Sequence, residues 1–246
     1  MLSKQQLGFL RSLHQKKFRQ MYGKFLVEGD KLVRELLQSE FKVDAVYSME
    51  GWHEMLGSEI SSIIVTEDEL KKISTHENPN QVIAVANIPD LSVSTVQFPL
   101  AAALYIACDN LSDPGNAGAI IRIADWFGIK QVFFSESSVD IYNPKVVSAA
   151  KGSLFRVKCW YTNLKKMFEE NTHLKVYGTF MSGENIYNAT LDANAFILIG
   201  NEAHGINDEL QPHIQRKISI PSFGKAESLN AAVAAGIVVS EFKKRN

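Results

Sequence analysis

The sequence contains very little cysteine, and its two cysteines, Cys108 and Cys159, are far apart and form no CxxC pair. This spacing indicates neither a disulfide framework nor a zinc site, and it suits a reducing compartment. The N-terminal residues include no apolar run long enough for a signal peptide or a membrane span. We therefore expect a cytoplasmic protein that associates with no membrane and holds no metal.

Several common catalytic motifs are also missing from the sequence. It has no GxGxxG after a strand and no GxxxxGK[ST], which disfavours an ordinary dinucleotide fold and a P-loop enzyme. It has no HExxH pair of a zinc protease and no GxSxG elbow of a hydrolase. Any chemistry must therefore depend on other loops.

Acidic residues are absent from the first 24 positions, although the chain of 246 residues has a net charge of −1. This arm carries six basic side chains, whereas residues 25–99 carry five basic and thirteen acidic ones. A basic arm on an acidic chain can bind phosphates, so Lys16, Lys17 and Arg19 are candidate RNA contacts. The alternative is a solvated helix face whose lysine stems cover apolar surface.

The hydrophobic pattern alternates between strands and helices along the chain. Ser3 can cap a first helix, and Thr66 with Glu69 fits a capping box. A proline-bounded segment without helical period predicts a domain boundary near residue 98, which separates residues 1–97 from residues 98–246. In the second half, short continuous apolar runs predict an α/β fold with a parallel sheet that is covered on both faces.

The first of three polar loops lies in the segment DNLSDPGNAGAIIRIADWFGI, residues 109–129. Pro114 and Gly115 form a turn, and Asn116 is placed to cap the helix that follows. Arg122 lies opposite the apolar face of this helix at 100° per residue. It is either a solvated surface arginine or a group that reaches a phosphate or a partner subunit.

Two further loops also follow apolar strands. In ILIGNEAHGIN, Gly200 and Gly205 flank Glu202, which is either an active-site carboxylate or part of a polar turn. In ISIPSFGKAESLNAAVAAG, a strand ends near Pro221, and Ser228 can cap a helix rich in alanine and glycine. Small side chains let such a helix pack closely against another backbone.

Together these three segments resemble the three motifs of the SpoU (TrmH-like) family of SPOUT RNA methyltransferases, in the same order over most of residues 105–242. The segments KFLVEGDKLVRELL and NPNQVIAVANI resemble the ribosomal-protein-like substrate-binding domain that is fused to many members. The resemblance therefore covers nearly the whole chain. Ala203 departs from the family pattern, in which glycine is common at that place.

The resemblance implies a C-terminal SPOUT domain with a parallel sheet and a deep trefoil knot, preceded by a small α/β substrate-binding domain. It implies S-adenosylmethionine as the cofactor and a homodimer in which Arg122 works beside the cofactor site of the other subunit. The family's cofactor positions fall on Thr179, Gly200, Ile220, Pro221 and Leu229. Its catalytic and substrate positions fall on Asn116, Arg122, Glu202, Ser228 and Asn230.

These implications predict a methyltransferase that acts on a ribose 2′-hydroxyl of RNA, with ribosomal RNA favoured over transfer RNA. An inactive RNA-binding module is the main alternative, and the retention of Asn116, Arg122, Glu202 and Asn230 argues against it. An enzyme for small nucleotides is a third possibility, against which the basic arm argues. The identity of the group that accepts the hydroxyl proton stays open.

Overall fold

The computed structural model describes residues 1–54, 62–76, 78–90 and 103–245. Their contacts divide them into two compact units. The first unit comprises the described residues of Met1–Asp90 together with Asp140–Phe155, and the second comprises the described residues of 91–139 and those from Arg156 onward. The boundary that we predict near residue 98 lies outside the described residues.

Helices and strands alternate along the described chain, as predicted. Three of these helices and strands were not predicted, namely the helix after Gln15, the helix at residues 50–54 and the strand at residues 158–162. In chain order the elements are α1 (Lys4–Ser12), α2 (Lys16–Tyr22), β1 (Lys24–Glu28), α3 (Asp30–Leu37), β2 (Val43–Ser48), α4 (Glu50–Glu54), β3 (Ile63–Ile64), α5 (Glu67–Ile73), β4 (Val82–Asn87), β5 (Leu104–Cys108), α6 (Pro114–Trp126), β6 (Gln131–Ser135), α7 (Pro144–Ala150), β7 (Lys158–Thr162), α8 (Leu164–Glu170), β8 (Lys175–Asn185), β9 (Ala195–Ile199), β10 (Arg216–Ser219) and α9 (Ala231–Arg245).

The first unit is built on a four-stranded sheet in the order β1-β4-β2-β3. Strand β4 is antiparallel to β1 and β2, and the short pairing of β2 with β3 is parallel. Both predicted caps are confirmed, since Ser3 closes a capping box with Gln6 and Thr66 closes one with Glu69. Each box pairs backbone N–H groups that the first helical turn leaves without partners.

The segment Asp140–Phe155 packs within the first unit, although it lies far along the chain from the other residues of that unit. Tyr142 places its ring 4.8 Å from that of Phe25, and Phe155 places its ring 5.4 Å from that of Phe41. These contacts join residues more than 100 positions apart, so no local sequence pattern could reveal them.

Arg19 is buried in the first unit, with only 2% of its surface exposed. Its Nε and Nη2 donate to Asp140 Oδ2 at 2.8 and 2.5 Å, and its Nη1 donates to the Leu13 carbonyl oxygen at 2.8 Å. The interpretation of Arg19 as an exposed phosphate contact is therefore wrong, because a protein carboxylate already neutralises its charge. Lys16 and Lys17 are both exposed on α2.

The second unit contains a six-stranded sheet in the order β10-β8-β9-β5-β6-β7, in which every pairing is parallel. The predicted α/β fold with a parallel sheet is thus confirmed. One face of the sheet packs against α8 through an aromatic cluster of Tyr105, Phe133 and Phe196, with Phe168 of α8 5.3 Å from Phe196. Helices α6 and α9 pack against each other, and α9 also contacts β9.

Candidate active site

Three polar loops meet at one edge of the parallel sheet in the second unit. They follow β5, β9 and β10, and β5 and β9 are neighbours near the centre of the sheet. Because the carboxyl ends of parallel strands lie at the same edge, loops that are distant in sequence come together there. This edge is where open α/β sheets usually bind ligands.

Asn116 joins all three loops through its side-chain amide. Its Nδ2 donates to Glu202 Oε1 at 2.9 Å, and its Oδ1 accepts from Asn230 Nδ2 at 2.7 Å. The side chain is buried, with 7% exposed. The predicted role of Asn116 as the helix cap is wrong. The cap of α6 is Asp113, whose Oδ1 accepts from the Asn116 backbone N–H at 2.7 Å.

Glu202 is the acceptor at the centre of this network. Besides Asn116, its carboxylate accepts from the Ser112 backbone N–H at 3.2 Å, the Ser112 hydroxyl at 3.0 Å and the Asp113 backbone N–H at 3.2 Å. Burial acts to raise the pKa of Glu202, but the hydrogen bonds from Asn116 and Ser112 favour the charged form and leave the pKa below its ordinary value. The carboxylate is therefore anionic at neutral pH and holds the loops together.

The loop before α9 is fixed by Asn230 rather than by Ser228. The Oδ1 of Asn230 accepts from the backbone N–H groups of Ala232 and Val233 at 3.0 and 3.3 Å, which caps the helix. The prediction that Ser228 caps this helix is therefore wrong. Ser228 is exposed and lines the cleft described next.

An open cleft of about 820 Å³ lies beside the network. Its size falls within the roughly 300–1,000 Å³ typical of small-molecule sites. The structure brings all five predicted cofactor residues and three predicted catalytic residues to its lining, namely Thr179, Gly200, Ile220, Pro221, Leu229, Glu202, Ser228 and Asn230. Buried Ile218 contributes apolar surface to the same lining.

Gly200 allows the loop after β9 to fold back tightly. A Cβ atom at this position would lie 2.4 Å from the carbonyl carbon of Gly205 and 2.5 Å from the backbone nitrogen of Ile206. Gly205 adopts a φ of +70°, which favours glycine. The backbone of Ala203 does not have a positive φ, so an alanine fits this loop without strain.

Arg122 is exposed on α6, as its position opposite the apolar face predicts. Its guanidinium group has neither an ion pair nor a hydrogen bond with any residue that the structure describes. Arg122 does not line the cleft of its own chain. The structure thus separates it from the network of Asn116, Glu202 and Asn230.

Two residues that sequence reasoning missed connect the first and second loops. The buried carboxylate of Asp109 accepts from the Asn207 backbone N–H at 2.7 Å, and burial raises its pKa despite this hydrogen bond. Asn201 donates from Nδ2 to the Asn110 carbonyl oxygen at 2.6 Å. Both are polar residues just past a buried strand, which was the signal available for finding them.

No group of three or more metal-binding side chains occurs in the part of the chain that the structure describes. None of its described helices is long and apolar enough to cross a membrane. The two cysteines are buried and free, and burial raises the pKa of both thiols.

Two family models match the chain. The model of the SpoU rRNA Methylase family matches residues 103–240, and the MRM3-like substrate binding domain matches residues 4–84. The first of these matches contains the three loops, and the second lies within the first unit.

The chain is similar over nearly its whole length to named proteins. It is 32% identical to the 23S rRNA (guanosine(2553)-2'-O)-methyltransferase RlmP of Bacillus subtilis, over 93% of this chain and 92% of that protein. A TrmH-family structure from Porphyromonas gingivalis matches 100% of both chains, with 34% identity and a TM-score of 0.88. The AdoMet-bound rRNA methyltransferase of Sinorhizobium meliloti matches with 25% identity and a TM-score of 0.87, over 100% of this chain and 97% of that one.

Proposed function

Because this chain belongs to the SpoU rRNA methylase family, we propose that it methylates a ribose 2′-hydroxyl of ribosomal RNA with S-adenosylmethionine. The observation that carries the proposal is the network of Asn116, Glu202 and Asn230 beside an open cleft. The relative from B. subtilis is named as a 23S rRNA 2'-O-methyltransferase, which favours ribosomal over transfer RNA.

The cleft fits the proposed cofactor in size and in chemistry. Apolar side chains of Ile218, Ile220 and Leu229 can cover an adenosine, and the Glu202 carboxylate supplies negative charge near a cationic ligand. We assign binding of the cofactor to Thr179, Gly200, Ile220, Pro221 and Leu229. When bound, S-adenosylmethionine supplies a methyl group that its sulfonium already activates.

The remaining catalytic work is positioning and proton removal. Asn116 and Asn230 are held in one orientation, because each amide oxygen accepts a hydrogen bond and each amide nitrogen donates one. We assign these two residues and Ser228 to orienting the ribose, and Glu202 to holding them. Glu202 is a poor candidate base, since its pKa is lowered and its oxygens already accept hydrogen bonds.

We assign Arg122 to a phosphate or hydroxyl of the RNA. An arginine remains protonated at any ordinary pH, so it can hold an anion but is unsuited to accept a proton. Its exposure and lack of described partners leave the guanidinium available for an external ligand. The proton acceptor is not assigned to any residue.

We propose a symmetric homodimer in which Arg122 of one subunit serves the cleft of the other. Arg122 shares the exposed surface of α6 with Trp126, which is 84% exposed, and Val233 on α9 is 52% exposed. The small residues Ala232 and Ala235 of α9 are buried within their own chain, so the dimer proposal depends on the exposed side chains instead.

Mixed dimers test this arrangement. Arg122→Ala and Asn230→Ala should each be inactive alone. A verified heterodimer of the two should regain up to about half of the wild-type activity, since one of its two sites carries both lesions and the other carries neither. No recovery would contradict an Arg122 that acts in the opposite subunit's site. Sedimentation of the wild-type chain as a monomer would contradict the dimer itself.

Residues 1–97 are proposed as the RNA-binding domain and residues 98–246 as the methyltransferase domain, with Lys16 and Lys17 as phosphate contacts. A trefoil knot is proposed for the latter domain, because the chain runs from edge strand β10 back to place α9 against α6 and β9. A ribosomal RNA substrate would place the activity in the cytoplasm, where the two free thiols stay reduced.

Nucleoside mass spectrometry tests the proposed function. Ribosomal RNA is incubated with the purified chain and S-adenosylmethionine that carries a deuterated methyl group, and is then digested to nucleosides. The proposal predicts one 2′-O-methylated nucleoside that contains the label. A label on a base, or label in transfer RNA alone, would contradict it.

A further inference from the structure

The rim of the cleft in the second unit carries three exposed apolar side chains. Phe223 is 95% exposed, Met181 is 66% exposed and Leu229 is 48% exposed, and all three line the cleft. Exposed apolar side chains that cluster at a groove mark a site where a ligand or partner binds. The cofactor and catalytic assignments above give Phe223 no role.

Phe223 lies in the loop between β10 and α9, in which every residue from Ser222 to Asn230 is exposed. The loop contains Pro221 near its start and ends at Asn230, which belongs to the catalytic network. Phe223 therefore lies in the loop between a proposed cofactor residue and a proposed substrate residue. Lys225 is exposed two positions further along the same loop.

The interior of the cleft offers other surfaces to a cofactor. Ile218 is 1% exposed, and Ile220 is half-buried, so both lie deeper than the ring of Phe223. A ligand that covers a ring exposed to 95% must approach from the solvent side. With the cofactor on Ile218 and Ile220 in the interior, the ligand that covers the rim in the proposed reaction is the RNA.

RNA that enters such a site can use a surface of this kind. Proteins mostly recognise specific RNA in single-stranded loops, whose bases have lost the stacking of a helix. An aromatic side chain can replace that stacking, and it does so for any base because every base has a π-face. We propose that the ring of Phe223 stacks on an unpaired base of the RNA substrate, an inference that rests on the proposed function.

The test compares variants in steady-state kinetics, with RNA varied at saturating cofactor. Phe223→Ala should raise the KM for RNA roughly tenfold, as expected from the loss of one stacked base. Phe223→Tyr and Phe223→Trp keep a π-face and should stay near wild type, whereas Phe223→Leu should behave like alanine. Tyr187→Ala is the matched control, since Tyr187 is an exposed aromatic of the same unit that does not line the cleft.

Two measurements without RNA separate the alternatives. The dissociation constant for S-adenosylmethionine, measured by calorimetry, should stay within about twofold of wild type in Phe223→Ala, because the ring contacts RNA rather than cofactor. A weaker cofactor affinity would show that the ring covers the cofactor instead. A shift of the variant toward monomer in sedimentation would show that the ring belongs to a subunit interface. Either result overturns the proposal, as does an unchanged KM.

Direct binding distinguishes this inference from the proposed function. Fluorescence anisotropy with a single-stranded RNA oligonucleotide requires no methyl transfer. If the wild type binds this RNA and Phe223→Ala binds it more weakly, the stacking proposal holds even when no RNA is methylated. Equal binding by both proteins, together with normal methyl transfer, would leave the proposed function intact and refute the stacking role.

Discussion

Both units bury polar side chains, but the hydrogen-bond partners of those side chains differ between the two units. In the first unit, the Arg19 guanidinium is satisfied by Asp140 and a backbone carbonyl, and 2% of the residue is exposed. In the second unit, Asn116 is similarly buried, yet its partners Glu202 and Asn230 lie on the wall of an open cleft.

The difference separates groups that hold the fold from groups that hold a site. Breaking the buried Arg19–Asp140 pair can change stability, and neither residue lines the cleft of the second unit. A network that joins three loops beside a cleft can change the geometry of a bound ligand with little effect on the fold. Variants of the Arg19–Asp140 pair should therefore alter unfolding, and variants of the three-loop network should alter binding and rate.

The largest expected effect is on stability in the first unit. Arg19→Ala leaves the half-buried Asp140 carboxylate without its cation, so we expect the free energy of unfolding to fall by about 3–5 kcal/mol. Urea denaturation measures this change. Lys17→Ala on the same helix is the control and should change it by less than about 0.5 kcal/mol. Equal losses of unfolding free energy in the two variants would contradict a structural role for the buried Arg19–Asp140 pair.

A second variant addresses ligand binding in the second unit. Gly200→Ala places a Cβ against the Gly205 and Ile206 backbones, so the loop must open. We expect affinity for S-adenosylmethionine to fall roughly a hundredfold, as for an overpacked site that costs about 1–3 kcal/mol. Isothermal titration calorimetry measures this affinity. Gly8→Ala is the control, because its Cβ would meet no atom within 4 Å and Gly8 does not line the cleft. Normal cofactor binding by Gly200→Ala would show that the cofactor does not bind at this loop.

A smaller effect is expected from the exposed charges of the first unit. Reversal of Lys16 and Lys17 to glutamate removes up to two phosphate contacts, and the slope of log affinity against log salt should decrease in magnitude by about 1.8 for duplex RNA treated like duplex DNA. Reversal of Lys165 and Lys166, an exposed pair on α8, serves as the control. Equal slopes for wild type and the Lys16–Lys17 variant would make that pair only a solvated surface.

The smallest expected effect is a change in the titration of Glu202. Burial raises its pKa, while hydrogen bonds from Asn116 and Ser112 lower it, and the net shift is downward. Its contribution to stability is therefore present above the pKa of the unfolded chain and is lost as pH falls through the lower folded value. Asn116→Ala should move the pKa upward in a carboxyl ¹³C NMR titration. An unmoved pKa would show that Asn116 does not hold the charge.

The sequence allowed much of the fold to be predicted where the signals are local. The capping boxes of Ser3 and Thr66, the short apolar strands of the parallel sheet and the exposure of Arg122 all follow from spacing along the chain. The residues of the cleft came from the family resemblance, and the structure brings them together. Their individual roles stay predictions.

Two errors, at Arg19 and Asn116, arose where distant contacts decide the outcome. Arg19 looked like a surface cation until the structure placed Asp140, 121 positions away, against it. Asn116 has a side chain that often caps helices, but its amide bonds to Glu202 and Asn230, which lie 86 and 114 positions away. Asp113 caps α6 instead. The capping of α9 that we predicted for Ser228 is done by Asn230, which lies next to the first residue of the helix.

The rate of a single methyl transfer in Asn116→Ala tests the central claim, that the three-loop network is the frame of the active site. At saturating RNA and cofactor, loss of its two hydrogen bonds should lower the rate about a hundredfold, equivalent to about 3 kcal/mol. Asn143→Ala, which removes the cap of α7 in the first unit, should cost about 1 kcal/mol of stability and leave the rate unchanged. A wild-type rate in Asn116→Ala would contradict the account.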